Sequence, residues 1–291
     1  MQKLSEHIKG LIAINIAAII FGSSALYGKL DVSPYWIVSM RGLFAAIALV
    51  IIGAARKEIV FPKEYLPSFI ITGTILAFHW LTFFFSVQLS GVAIATLTFA
   101  AFPLFTLIIE ALKNKKHLKL IEIAAGIIII IAVALLVKID GSSDGILTGT
   151  FAGISSAILF SFFGVASKTL TKDLPTLTVS LYQNMVVCLM LAPFLFFTQP
   201  IPDQPNEWFF LILLGIVTTA LMHQLYFYSL QRLSASTCSG FVALEPVYAI
   251  LFAALFFSEP VSIAVAISGL LILLASFLLF SRTFNTALKS N

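Results

Sequence analysis

Two charged side chains draw attention by their surroundings. Glu245 lies in Ala243-Leu244-Glu245-Pro246-Val247 and Arg41 in Ser39-Met40-Arg41-Gly42-Leu43, each inside a long apolar stretch. Glu245 is about ten residues into its stretch, or ~15 Å at 1.5 Å per helical residue, close to the middle of a bilayer. A charge there costs ~2.5 kcal/mol or more, so Glu245 should face a protein interior. In that place it can bind an ammonium group, carry a coupling proton, or make a packing hydrogen bond beside a kink at Pro246. Arg41, ~10 Å below the outer surface by the same rise, can meet a carboxylate bidentately or tie helix-end carbonyls or an acidic partner such as Glu245.

His79 and His223 sit in the middle of two further apolar stretches. Histidine changes charge near neutral pH, which suits proton coupling, although a buried histidine also serves as an ordinary hydrogen-bonded core residue. On the same stretches Trp80, Gln224, Tyr226 and Tyr228 offer aromatic faces and polar tips. Such groups can line a cavity for a small amphipathic solute and make cation–π contacts with an amine, or simply pack. Pro103 and Pro246 each remove a backbone donor in mid-stretch, which reads as a hinge or a site-shaping break. The histidines and Glu245 have no metal-ligand spacing, and the two cysteines, Cys188 and Cys238, both lie in apolar stretches where a thiol behaves as a small hydrophobe. Neither a metal nor any other cofactor is expected.

These side chains must be positioned by membrane helices. The chain has 291 residues, 60% hydrophobic and 10% charged, against roughly 25% charged in soluble domains. That balance excludes a soluble globular protein and a disordered one. Ten apolar spans are expected, at 11–28, 35–53, 67–87, 91–110, 119–138, 147–167, 176–197, 208–228, 236–257 and 261–280. At about 20 residues each they occupy about 200 residues, leaving no room for a separate soluble catalytic domain. The first span is longer than a signal-peptide core and is read as a mature helix.

With the N-terminus inside, 14 of the 17 Lys and Arg residues fall on inner segments, Lys29 and Lys138 fall outside, and Arg41 remains within a span. This asymmetry places both termini in the cytoplasm. It also explains the net charge of +4 by topology, so nucleic acid is not an expected partner. Gly22 to Gly28-Lys29 is one residue too long for a phosphate loop and is followed by Leu30 rather than Ser or Thr.

The two halves of the chain are alike. A shift of 143 residues places Ser86 on Ser229, Gln88 on Gln231, Pro103 on Pro246 and Gly126 on Gly269, with 11 identities in the 52 positions 86–137. Lys29 echoes Lys168 at a slightly different shift. Five spans per unit is an odd number, so the second unit, 147–280, enters the membrane inverted relative to the first, 11–138. The expected fold is therefore all-α and integral to the membrane, ten transmembrane helices in two inverted five-helix repeats. Secondary transporters use this architecture, with the substrate near the midplane where the repeats meet.

In Met40-Arg41-Gly42-Leu43, and in Leu244-Glu245-Pro246-Val247 running on to Ser258-Glu259-Pro260, the chain resembles the drug/metabolite transporter superfamily and within it the ten-helix EamA family. Phe102-Pro103-Leu104 is the first-half counterpart of the second motif. It departs from the pattern, with Phe102 in place of Glu245 and Lys116 in place of Glu259, which confines any acidic role to the second repeat. The resemblance implies a multi-pass protein of the inner membrane. It would work by alternating access and export amino acids or related amine and zwitterionic metabolites, driven by a solute or proton gradient. A multidrug or nucleotide-sugar carrier is the nearest rival, and a membrane-embedded enzyme a more distant one. It further implies that the third, fourth, eighth and ninth spans, with the first and sixth, surround the site. Arg41 would lie on a helix flanking the cavity in a structural or gating role. Expected partners are a small-molecule substrate and the lipid bilayer, with a coupling proton and a second copy of the chain left open.

Overall fold

A computed structural model describes residues 5–115, 117–140, 144–258 and 261–289. Lys116, Glu259, Pro260 and most of the turn at 141–145 are thus outside the described residues. Everything described is helix and short connection, with no strand among the described residues.

The helices are α1 (Glu6–Ser24), α2 (Pro34–Arg56), α3 (Leu66–Phe99), α4 (Phe102–Lys113), α5 (Leu120–Asp140) and α6 (Asp144–Asp173), followed by α7 (Thr176–Leu191), α8 (Pro205–Gly215), α9 (Met222–Leu230), α10 (Ala235–Val242), α11 (Glu245–Phe257) and α12 (Ile263–Lys289). Starts follow local chemistry. The Ser5 hydroxyl accepts from Ile8 N at the head of α1, and Pro34 and Pro205 occupy first-turn positions where a missing N–H costs nothing. A six-residue π-helical turn, Ile216–Leu221, joins α8 to α9.

Among the described residues, seven helical segments are long and apolar enough to cross a membrane, and Leu120–Leu135 and Ile263–Leu278 are further apolar stretches, within α5 and α12. One local reason separates this from the ten expected spans. The third and fourth spans share a single run, Lys63–Phe99, kinked at Gly91 with φ 82 and ψ 168, and the rest of the fourth is the 12-residue α4.

Gly91 occupies a region of backbone space that is essentially reserved for glycine, and a Cβ there would meet nothing within 4 Å. The cost of Gly91→Ala is therefore backbone strain alone, about 1–3 kcal/mol. Thermal unfolding in detergent should show a lowered midpoint for this variant. An unchanged midpoint would mean that the kink is not held in solution.

α3 lies along α6 and also touches α7 and α11; α1 packs against α9, α10 and α11; α2 packs on α7 and α8; and α5 packs on α12. Buried side-chain hydrogen bonds fix the first two of these packings in matching ways. Ser86 Oγ donates to Gly149 O at 2.7 Å, joining α3 to α6, and Ser229 Oγ donates to Gly10 O at 3.0 Å, joining α9 to α1. Gln88 Nε2 donates to Val32 O at 2.8 Å and Gln231 Nε2 to Thr171 O at 2.9 Å. The donors in each pair are 143 residues apart and the acceptors 139, the latter also the separation of Lys29 and Lys168. Lys168 Nζ donates to Leu230 O and Leu233 O, fastening the turn between α9 and α10 to α6. Gly149 and Gly153 let α6 approach α3 closely, since a Cβ on either would collide with Ser90 or Thr98.

Candidate functional site

Where α1, α2, α3 and α11 meet, Phe21, Ser24, Arg41, His79, Trp80, Phe83, Phe99 and Glu245 line one narrow cleft, with about 10 Å³ of room for solvent. That is space for about one water. Arg41, Trp80, Glu245 and His79 are 1%, 2%, 2% and 3% exposed. Residues far apart in sequence and on three different helices thus converge on one interior point.

Glu245 is brought there by a broken span. α10 ends at Val242 and α11 begins at Glu245, with Pro246 in its first turn. Proline is comfortable at that position and cannot continue a preceding helix. The break leaves Glu245 at a helix N-terminus, where the backbone dipole favours negative charge. Pro103 has the same place in α4, just after the break at Ala100 and Ala101. There the residue corresponding to Glu245 is Phe102, whose ring stacks on Phe99 at 4.9 Å and whose carbonyl accepts from Ser161 Oγ at 2.8 Å. One half-helix therefore presents a carboxylate and the other a phenyl ring.

Arg41 does not bridge to Glu245. Its Nε donates to Thr219 Oγ1 at 3.0 Å and Nη2 to Thr218 O at 3.3 Å, while the guanidinium carbon lies 3.8 Å from the centroid of the Trp80 ring. Oε2 of Glu245 is buried without a hydrogen-bond partner among the described residues. The tie to a carbonyl expected for Arg41 is present, but the carbonyl belongs to the π-helical turn rather than to a helix end. Sequence reasoning passes over Thr218 and Thr219. The one signal they offer is a pair of adjacent hydroxyl residues, starting three positions after Gly215, in an otherwise apolar run.

His79 lines the cleft and is engaged by Ser156 of α6, with Nδ1 2.8 Å from Ser156 Oγ and 3.1 Å from Ser156 O. The Ser156 hydroxyl also reaches His79 O at 3.0 Å. A carbonyl oxygen only accepts, so these contacts assign the proton to Nδ1 and leave Nε2 to accept from a ligand. His223 has a different environment. It is fully buried, stacked on Trp80 at 5.4 Å and 18°, and flanked by Phe163 and Phe227. Neither of its ring nitrogens has a hydrogen-bond partner among the described residues. Trp80 thus has Arg41 over its ring and His223 stacked against it.

The rest of the expected aromatic cluster divides. Tyr226 is buried beside Phe21 and Phe160, at 6.0 and 5.7 Å between centroids, behind the cleft rather than on its wall. Gln224 and Tyr228 line another groove, with Arg56, Glu58 and Thr176. Gln224 accepts there from Thr176 Oγ1 at 2.8 Å, and Tyr228 lies beneath Arg232 at 3.5 Å. Residues 224 and 228 share a helix face, and 226 is on the opposite one. Gln183 crosses between helices, donating to Thr72 Oγ1 at 2.9 Å and Ser167 Oγ at 3.1 Å.

Comparison with known proteins bears on the chain as a whole. One similar protein is the uncharacterized transporter YxxF of Bacillus subtilis strain 168, 26% identical over 255 residues, which span 84% of this chain and 81% of that protein. The uncharacterized transporter YoaV of the same organism is 23% identical over 281 residues, 91% of this chain and 94% of its own. A solved crystal structure superposes with a TM-score of 0.72 at 18% identity, covering 94% of this chain and 98% of the other, a likeness of fold alone. Both curated relatives are named as transporters. The EamA-like transporter family matches residues 8–138 and 147–281, nearly the whole chain, and the chain belongs to that family.

Proposed function

We propose that this chain is a secondary active transporter that exports amino acids or related amine and zwitterionic metabolites across the inner membrane by alternating access. The observation that carries this reading is the pair of buried, opposite charges, Arg41 and Glu245, that line one cleft without bridging each other. An unpaired charge in an apolar interior is costly, and each of these has the complement of one end of an α-amino acid. The aromatic wall of Phe21, Trp80, Phe83 and Phe99 suits the carbon skeleton between those ends.

Alternating access needs two arrangements of similar energy. Our reading is of ten spans in two inverted five-helix repeats, 11–138 and 147–280, with both termini cytoplasmic. The matched hydrogen bonds Ser86–Gly149 with Ser229–Gly10, and Gln88–Val32 with Gln231–Thr171, support it. In such a frame each half closes the other by the same contacts. The broken spans at Pro103 and Pro246 are the segments that rearrange, and Glu245 moves with the second of them.

Counterflow in proteoliposomes tests this proposal. Vesicles loaded with unlabelled amino acids should accumulate labelled ones, with amines competing, both with and without a pH gradient. Movement of nucleotide sugars or lipophilic cations, with no counterflow of any amino acid, would replace the reading by one of its rivals.

A further inference from the structure

The π-helical turn between α8 and α9 holds one side of the Arg41 guanidinium. A guanidinium has five N–H donors in a planar fork. Two of them, on Nε and Nη2, are given to Thr219 Oγ1 and Thr218 O. Among the described residues these are the only hydrogen bonds that Arg41 makes. The Nε–Nη2 side of the fork is therefore docked on the turn and Trp80 covers a face. The Nη1–Nη2 end is left as the side available to a ligand in the cleft that Arg41 lines.

The Thr219 hydroxyl fixes this orientation because its own proton is committed. It donates to Leu214 O at 2.8 Å, and the neighbouring Thr218 hydroxyl donates to the same carbonyl at 2.9 Å. Thr219 Oγ1 therefore meets Arg41 as an acceptor. The contact to Leu214 reaches back five residues, the spacing of the π turn, and π turns of this kind recur at functional sites.

We propose that Thr219 is a specificity-determining positioning residue. By docking one side of Arg41 it turns the Nη1–Nη2 end toward the cleft as a receptor for a carboxylate. The site thereby distinguishes an amino acid from the amine that lacks the carboxyl group. This rests on the reading that the cleft binds amino-acid-like solutes, and it assigns the carboxylate half of that recognition.

The test uses pairs of probes, each a zwitterionic amino acid and its decarboxylated amine, in proteoliposome counterflow. Thr219→Val preserves shape and removes the acceptor, and Thr219→Ser keeps it. With Thr219→Val the apparent affinity for the amino acid should fall tenfold or more while that for the amine is unchanged, and Thr219→Ser should retain the wild-type ratio. Equal loss for both members of a pair, or no loss, overturns the positioning role and leaves the transport reading standing. Absence of amino-acid counterflow by the wild-type protein overturns both. Should Thr219→Val not fold, Arg41→Lys decides the matter, because it keeps the charge and lacks the fork. The same selective fall is then expected, and an unchanged ratio overturns the proposal.

Discussion

Glu245→Gln should weaken binding of amine-bearing solutes by about thirtyfold or more. Removing one member of a buried charge pair costs about 2–5 kcal/mol, and each 1.4 kcal/mol is tenfold in affinity. The substitution changes charge and not volume, so the packing of Pro246 and the start of α11 should persist. In the wild-type structure Oε2 has no partner among the described residues, so no internal bond is lost in the exchange. What is lost is the anion that an incoming ammonium would meet between Phe21, Phe83 and Phe99. Gln does not titrate, so any part of the pH dependence of transport that arises at this carboxyl should vanish as well. Uptake into vesicles across a range of pH measures both effects. Kinetics indistinguishable from wild type at every pH would remove Glu245 from the site.

Much of this arrangement is legible in the amino-acid sequence. Scarcity of charge names the solvent, and rarity within apolar runs names Arg41 and Glu245, because membrane burial penalises both unless they have work to do. His79 and Trp80 stand out on the same ground and lie on the same wall. The identities Ser86/Ser229 and Gln88/Gln231 signal a repeat, and each of these side chains makes a corresponding cross-helix bond. The prolines mark the breaks because no other residue type interrupts a helix so reliably.

Other features are hidden in the sequence for physical reasons. Gln224, Tyr226 and Tyr228 form a group by proximity along the chain, but alternate residues of a helix point to opposite sides. The π turn adds to the difficulty, since its extra residue shifts the facing of everything that follows and leaves no compositional mark. Thr218 and Thr219 become partners of Arg41 only through that shift. Ser156, which fixes the proton of His79, is one of many small hydroxyl residues in α6, and only the crossing of α3 and α6 selects it. Hydropathy length also fails to separate spans where a helical run continues through a kink, as it does at Gly91.

Arg41→Met should separate structure from function at the cationic side chain of the cleft. A buried guanidinium with no carboxylate in an ion pair with it carries an uncompensated desolvation cost. Apolar replacement of buried ionic groups is often neutral, or stabilising by about 1–4 kcal/mol. Against this stand the lost stacking on Trp80, about 2 kcal/mol in a desolvated setting, and the bonds to Thr218 and Thr219. The Thr219 hydroxyl keeps its bond to Leu214 O, so removal of Arg41 does not orphan it. The terms nearly cancel, and the thermal midpoint in detergent should stay close to wild type. Transport of carboxylate-bearing solutes should nevertheless fall by about a hundredfold, since a charged hydrogen-bonded partner in a water-poor site supplies about 2–5 kcal/mol. A protein that folds and no longer moves amino acids identifies Arg41 as a receptor. A protein that unfolds shows instead that the tie between α2 and the π turn holds the bundle together, and the carboxylate must then be met elsewhere.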